Sequence, residues 1–313
     1  MPRLISGYID REKFSHETVF TQYAGHGSAI ARQAASDGVD IVVAVGGDGT
    51  VNEVARAIAG TSTALGIIPC GSGNGLARHI LIPVNVRKAI RIINACEISQ
   101  LDYGLIDGKP FFCTCGMGFD ALVSLKFAEA KRRGIMTYAE NILREGIKYK
   151  PETYTITTDK GTITQEAFLV SCANASQYGN NAYIAPRASM SDGLMDVIIM
   201  KPFELIDAPQ ISLDMFNKTL DKNPNIIAFR TQRLHIHREH AGVAHYDGDP
   251  TTAGQDVDVE IVPKGVRVVI NPFANKNARL PNAFQVALAD FFNNLAALRD
   301  DITEQAQRLL TAK

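Results

Sequence analysis

No run in this sequence is apolar for long enough to cross a membrane as a helix. The opening residues, MPRLISGYIDREKF, also lack the apolar centre of a signal peptide. These two absences lead us to expect a cytoplasmic protein, at most peripheral to a membrane. Nor is there an excess of one charge: 32 Lys and Arg face 33 Asp and Glu, for a formal net charge of −1. Such a balance leaves no electrostatic footprint for nucleic acid, so no nucleic-acid partner is expected. Any membrane contact must come from a local patch. Internal repeats and low-complexity segments are missing as well.

Cysteine is sparse. The five present (Cys70, Cys96, Cys113, Cys115 and Cys172) show neither the CxxC spacing of a zinc site nor the even count of a disulfide framework. Buried, reduced thiols are expected, with Cys113 and Cys115 on one face of a strand. Two common nucleotide signatures are also missing. Without GxxxxGK[ST] the chain is not a P-loop protein, and without GxGxxG a dinucleotide-binding reading is weak.

What is present is ordinary for a globular chain: 46% apolar residues over 313 positions, which favours two domains. Glu17 to Phe20 reads as a short strand, followed by a helix through Ala29, Ile30, Gln33 and Ala34. Asp40 to Val45 is almost wholly apolar, as a central parallel strand covered on both faces would be. It runs into Gly46-Gly47-Asp48-Gly49-Thr50, and Val51, Val54, Ala55 and Ile58 then share a helical face. Ala64 to Ile68 repeats the pattern. It ends in Pro69-Cys70-Gly71-Ser72-Gly73-Asn74-Gly75, with a helix-like stretch from Leu76 to Ile80 and another through Val86, Ala89, Ile90 and Ile93. Alternating strand and helix over 16–98 argue for a parallel α/β layer.

Near Leu101 the texture changes. Asp107-Gly108 marks a hairpin turn, and Leu122 to Lys148 reads as helical. Strands follow around Tyr154 and Ile156, at Phe168 to Ala173, Met195–Met200, Ile226–His237 and Val257–Val262, with a helix from about Glu204 to Leu220. Short strands with turn signals suggest a β-sandwich or barrel. The tail from Leu280 to Lys313 reads as a helix with an apolar face. We therefore expect an α/β domain over 1–103, joined by the helix of 278–313, and a β-sandwich over 104–277.

The two glycine loops carry the chemistry. Glycines directly after a parallel strand let the backbone turn tightly and approach a ligand. The helix that follows offers unpaired N–H groups and the positive end of its dipole to a phosphate. Asp48 would repel a bare phosphate, so its natural task in a nucleotide site is to hold Mg²⁺. Thr50 supplies a hydroxyl. Two such loops at the carboxyl ends of parallel strands define the crevice where open α/β sheets bind ligands. Either loop taken alone is also compatible with a plain turn.

With both loops in view, the chain resembles the diacylglycerol kinase and sphingosine kinase family, in its bacterial branch. The matching stretches are GGDGTVNEV (46–54), LGIIPCGSGNGLAR (65–78), GFDA (118–121), NASQYGNNAYIAPRASMSDGLMD (174–196) and DGD (247–249). The resemblance implies an N-terminal nucleotide domain, a C-terminal β-sandwich that receives lipid, and a cleft between them. It implies ATP contacts at Thr21, Gly47, Asp48, Gly49, Thr50, Val51, Asn52, Glu53 and Ser72, with Asp48 near a catalytic Mg²⁺. A structural Mg²⁺ is implied at Ser189, Asp192 and Leu194, partly through backbone oxygens, where Asp192-Gly193 also suits an ordinary turn. The partner implied is a membrane lipid substrate met by peripheral membrane contact, and a homodimer is left open.

Two departures from the family pattern stand out. The family's general base is the Glu of a DGE motif, and here the motif is Asp247-Gly248-Asp249. Asp249 keeps the carboxylate but is one methylene shorter, about 1.5 Å less reach. Family members also open with a strand ending in NPxSG. Val266 to Asn271, followed by Pro272, resembles that strand, and is expected either in a related place or as the last strand of the second domain. Asp120 either meets a lipid head group or bonds nearby backbone. His235, His237 and His240 form either a zinc site or paired sheet histidines. Lys131, Arg132 and Arg133 form a basic run suited to anionic lipid or to solvent. The function these residues imply is ATP-dependent phosphorylation of a lipid hydroxyl. The alternatives are an NAD kinase-like enzyme with a soluble substrate and a non-catalytic relative that binds lipid or nucleotide.

Overall fold

A computed structural model of the chain describes residues 1–129, 149–204 and 206–274. The basic run 131–133, the latter part of the helix expected to end at Lys148, and the expected helix of 278–313 lie outside these residues.

The first apolar run is strand β1 (Ile41–Gly46) and the second is β2 (Ala64–Pro69). They pair in parallel, Ile41 opposite Ala64 through Gly46 opposite Pro69. A parallel pair needs a long crossover. It comes from the helix at Asp48–Ile58, which buries Val51, Val54, Ala55 and Ile58, the face marked by the sequence. In chain order the helices of this part are α1 (Pro2–Tyr8), α2 (His26–Ser36), α3 (Asp48–Ile58), α4 (Gly75–His79) and α5 (Val86–Ala95). α1 was not foreseen. Its end is tied to α5 by the Asn94 side chain, which accepts from Asp10 N–H at 3.0 Å and donates to the Tyr8 carbonyl at 2.8 Å.

The second part is a sandwich of two sheets. One sheet runs β10 (Ile226–Thr231), β9 (Met195–Met200), β8 (Leu169–Ala173), β5 (Thr114–Gly118), β12 (Gly242–Tyr246), β13 (Asp249–Ala253). The other runs β1, β2, β14 (Asp256–Val269), β11 (Arg233–Arg238), β6 (Glu152–Thr158), β7 (Gly161–Ala167), with β3 (Ile98–Ile106) paired to β14 and β4 (Lys109–Phe111) to β3. Cys115, Met117, Val170 and Val197 from the first sheet meet Tyr154, Ile156, Ile236 and Val257 from the second in one buried core. Between these elements lie α6 (Phe119–Glu129) and α7 (Ala208–Asn217).

Strand β14 serves both parts. Its first half pairs with β11 inside the sandwich. A register shift falls between Val262 and Val266, and the chain then lies parallel to β2, Arg267 opposite Ala64 and Val268 opposite Leu65. The stretch VRVV is thus both a final sandwich strand and a third strand of the parallel layer. β2, with a partner on each side, is buried along its whole length.

Several expectations need correction. Glu17 to Phe20 is not a strand; it is exposed and pairs with nothing among the described residues. The run Ile226–His237 is two strands in different sheets, broken at Gln232. The helix expected from Glu204 begins at Ala208, where Pro209 fits the first turn because it has no N–H to satisfy. Cys70 is exposed rather than buried. Cys113 and Cys115 pack into different cores, because the strand begins only at Thr114.

Candidate functional site

Gly46 closes β1, and a Cβ there would lie 2.5 Å from Thr50 Oγ1, so only glycine fits. Gly47 caps α3, and the first backbone bond of the helix runs from Val51 N–H to the Gly47 carbonyl at 3.1 Å. The amides at 48–50 therefore belong to the helix end that has no intrahelical acceptors. Their partial positive charge faces away from the helix.

Both oxygens of Asp48 reach across to the second loop. Oδ1 accepts from Gly75 N–H at 2.6 Å and Oδ2 from Asn74 N–H at 2.8 Å. The backbones touch as well: a Cβ on Gly71 would lie 2.5 Å from Gly47 Cα. Asn74 sits in the left-handed region (φ 51°) and closes its own loop, accepting from Gly71 N–H at 3.0 Å and donating to the Gly71 carbonyl at 2.6 Å. The loop at 178–180 braces it from behind, with Asn180 N–H donating to the Gly73 carbonyl at 3.1 Å. The two glycine loops are thus one surface.

The third piece is the turn between β12 and β13. Asp247 (φ 54°) and Gly248 (φ 82°) both occupy the left-handed region that a two-residue hairpin turn demands. The buried Asp247 carboxylate accepts from the amides of Phe112, Cys113 and Thr114, the shortest at 2.7 Å. Burial pushes its pKa up; Arg56 and these amides pull the other way. α3 reaches this turn from the other side. Asn52 Nδ2 donates to the Asp247 carbonyl at 3.4 Å, and Arg56 Nη1 lies 2.6 Å from Asp249 Oδ2. The same guanidinium donates to the carbonyls of Tyr246 and Pro110 and covers the Tyr246 ring at 4.4 Å. Asp249 is half-exposed, with 49% of its side chain open to solvent. One helix therefore links the glycine loops at its start to the Asp249 turn at its last turn.

The remaining expected site residues are distributed as follows. Thr21 and Ser72 are exposed. Val51 is buried in the core. Glu53 is turned toward α2, where it accepts from Gly25 N–H at 2.8 Å and Gly27 N–H at 3.0 Å. Asp120 is closed off by His245 Nε2 at 3.0 Å, Tyr178 Oη at 3.1 Å and Ala121 N–H at 2.8 Å, so its carboxylate does not reach outward. His235 and His237 are paired to Asp258 and Asp256 on an exposed sheet face, the shortest contacts at 2.8 Å. Among the described residues no group of three or more His, Cys, Asp or Glu is suited to a metal ion.

Ser189, Asp192 and Leu194 lie in one loop, where the Ser189 and Asp192 side chains make contacts of their own. Asp192 Oδ1 accepts from Leu194 N–H at 3.2 Å, Asp192 Oδ2 faces Arg230 Nη1 at 3.4 Å, and Ser189 Oγ accepts from Ser191 N–H at 3.4 Å. Sequence reasoning missed Arg56, and it marked Asp247 and 178–180 only as parts of matching stretches, without the contacts they make. Their partners are far away along the chain, so no local pattern announces them.

Comparison with known proteins agrees with this layout. Residues 2–106 match the diacylglycerol kinase catalytic domain, and residues 113–270 match the YegS C-terminal NAD kinase beta sandwich-like domain. Curated relatives named "Probable lipid kinase YegS", from Salmonella typhimurium and Salmonella newport, are 28% identical over 242 residues, 75% of this chain and 79% of theirs. A crystal structure of a diacylglycerol kinase from Bacillus anthracis shares the fold, with a TM-score of 0.64 at 21% identity, covering 81% of this chain and 84% of that one. The crevice of paired glycine loops, set on an α/β layer and faced by a β-sandwich, thus sits in a chain that belongs to the diacylglycerol kinase-like family of probable lipid kinases.

Proposed function

We propose that this chain transfers the γ-phosphoryl group of ATP to the hydroxyl of a diacylglycerol-like membrane lipid. One observation carries the reading: Asp48 spans the two glycine loops through Gly75 and Asn74, so that their backbones form a single surface. Phosphoryl transfer needs positioning and charge neutralisation more than covalent chemistry from the protein, and this surface is suited to both.

Gly47, Asp48, Gly49 and Thr50 present backbone and hydroxyl donors to the phosphates, and Thr21 and Ser72 add exposed hydroxyls. Val51, Asn52 and Glu53 act from behind. They fix α3 in the core, against the Asp247 carbonyl and against the amides of Gly25 and Gly27. Each Asp48 oxygen keeps a lone pair beyond the amide it accepts, so Asp48 is the carboxylate placed to hold a nucleotide-bound Mg²⁺. Such an ion neutralises phosphate charge in this class of reaction and takes most of its ligands from phosphate and water.

The lipid oxygen attacks the γ-phosphorus, the bond to the β-phosphate oxygen breaks, and ADP leaves. The hydroxyl proton passes to Asp249, which acts as general base and whose position is set by Arg56. The acceptor lipid is met at the cytoplasmic membrane surface, where the chain docks peripherally.

The test is radiolabelled ATP presented with vesicles containing diacylglycerol and, separately, with NAD. Label in the lipid, lost in Asp48→Ala and in Asp249→Asn, supports the reading. Label in NAD alone would replace it with a soluble-substrate kinase. No calorimetric binding of ATP–Mg²⁺ would replace it with a non-catalytic relative.

A further inference from the structure

Two backbone amides hold the turn that presents Asp249. Asp247 N–H donates to the Thr114 carbonyl at 2.7 Å. Gly248 N–H faces the ring of His245, with Nδ1 at 3.4 Å. His245 is 2% exposed, and its Nε2 lies 3.0 Å from Asp120 Oδ2 at the start of α6. These partners fix the tautomer. Nδ1 meets an N–H and so carries no hydrogen, while Nε2 carries one and donates it to the carboxylate.

The contact has room made for it. Gly116 stands opposite His245 in the register of β5 and β12. A Cβ on Gly116 would lie 2.6 Å from Asp120 Oδ2 and 3.1 Å from His245 Nε2. Asp120 Oδ2 also accepts from Tyr178 Oη at 3.1 Å. The Tyr178 carbonyl in turn lies against the second glycine loop, where a Cβ on Gly75 would be 3.2 Å away. One carboxylate therefore backs both the Asp249 turn and the brace of the glycine loop.

We propose that His245 and Asp120 are positioning residues for the Asp249 turn: Asp120 holds the imidazole in its Nε2–H form, so that Nδ1 stays an acceptor for Gly248 N–H. The kinetic part of this inference rests on the phosphoryl-transfer reading; the tautomer does not. Asp120→Asn is nearly isosteric, yet all three groups on its oxygens (Ala121 N–H, His245 Nε2 and Tyr178 Oη) are donors. An NH₂ in either place meets one of them. If it meets Nε2, the imidazole hydrogen is driven to Nδ1, against Gly248 N–H.

Two measurements test the proposal. Imidazole ¹⁵N NMR of the full chain at neutral pH, without ATP or lipid, should show His245 as the Nε2–H tautomer. An Nδ1–H or doubly protonated ring would overturn the proposal. Initial rates with ATP–Mg²⁺ and diacylglycerol vesicles should show kcat about tenfold or more lower in Asp120→Asn and His245→Gln, the scale set by a misplaced group, with KM for ATP unchanged in His245→Gln. His245→Asn, whose oxygen falls near the place of Nδ1, should recover part of the loss. Equal losses in the Asn and Gln variants would reveal only a packing defect and overturn the assignment, as would a native kcat in Asp120→Asn. Should the His245 variants fail to fold, Asp120→Asn and the tautomer decide. A native chain that phosphorylates no lipid ends the phosphoryl-transfer reading instead, and the tautomer then decides alone.

Discussion

Arg56 Nη1 lies 2.6 Å from Asp249 Oδ2, joining the last turn of the helix behind the first glycine loop to the carboxylate on the sandwich side of the crevice. The contact answers the problem posed by a shortened DGE motif. Asp249 has less reach than Glu, and Arg56 fixes the reach it has. Arg56→Ala removes this anchor together with donors to the Tyr246 and Pro110 carbonyls. We expect stability to fall by about 1–3 kcal/mol and lipid phosphorylation to fall about 10²-fold, the scale of loss that follows a misplaced group. Arg56→Lys should recover little, since an ammonium cannot reproduce the guanidinium fork. Urea unfolding and initial rates check both effects. An unchanged rate in Arg56→Ala would mean that Asp249 is not placed by this contact.

The glycine loops make a separate prediction. Gly71→Ala puts a methyl 2.5 Å from Gly47 Cα, and neither backbone can move away without opening the joint between the loops. Asp48→Asn replaces an oxygen that accepts an amide N–H with an NH₂ group facing the same donor. Each change should abolish nucleotide binding in calorimetry, and Asp48→Asn should also cost about 1–3 kcal/mol through the amide left without its acceptor. Native-like ATP binding in Gly71→Ala would show that the two loops do not act together.

These pairs also show what the sequence could reveal. β1, α3 and β2 were legible because their apolar periods and terminal glycines are local, and GGDGT and GSGNG fall at strand ends for reasons written within a few residues. The Arg56–Asp249 contact was not legible. It joins positions 193 apart, and nothing near Arg56 distinguishes it from an ordinary solvated helix residue. Val266 to Asn271 was read as a last sandwich strand or as a stand-in for the family's opening strand, and its pairing with β2 was not legible, because a register shift in mid-strand leaves no simple apolar pattern. Asp192 matched a metal motif, and no local pattern announces its contact with Arg230, which stands opposite Asp196 in the cross-strand register of β9 and β10. Glu17 to Phe20 has strand-like composition but no neighbour to pair with, and composition alone cannot supply a partner.

Cys70 offers a chemical probe of the crevice. It is exposed and directly precedes the second glycine loop, while Cys113, Cys115 and Cys172 are buried. Partial burial raises its pKa, so labelling needs a mildly alkaline buffer. Maleimide should modify Cys70 readily in the native chain, and ATP–Mg²⁺ should slow that reaction. Cys96 is an internal control, since it lies at the C-terminal end of α5 and should be indifferent to nucleotide. Mass spectrometry of the labelled peptides measures both. Labelling at Cys70 that ignores saturating nucleotide would place the nucleotide away from this loop.

His79 predicts how stability depends on pH. It follows the second glycine loop on α4, and its Nδ1 accepts from Ser176 N–H at 3.1 Å, pinning the end of the helix to the loop from the sandwich side. Burial lowers its pKa to about 4. The unfolded chain takes up this proton near pH 6.5, so it binds a proton that the folded chain refuses over the interval between the two values. The contribution is intact above about pH 6.5 and is lost as pH falls toward 4, a total of about 3 kcal/mol. His79→Gln keeps an acceptor for Ser176 and cannot titrate. It should be less stable than the native chain at neutral pH, and the gap should narrow or reverse at about pH 5, where the native chain has begun to lose this term. Urea midpoints at the two pH values decide the matter, because parallel losses in both chains would mean that His79 takes its proton in the folded state as easily as in the unfolded one.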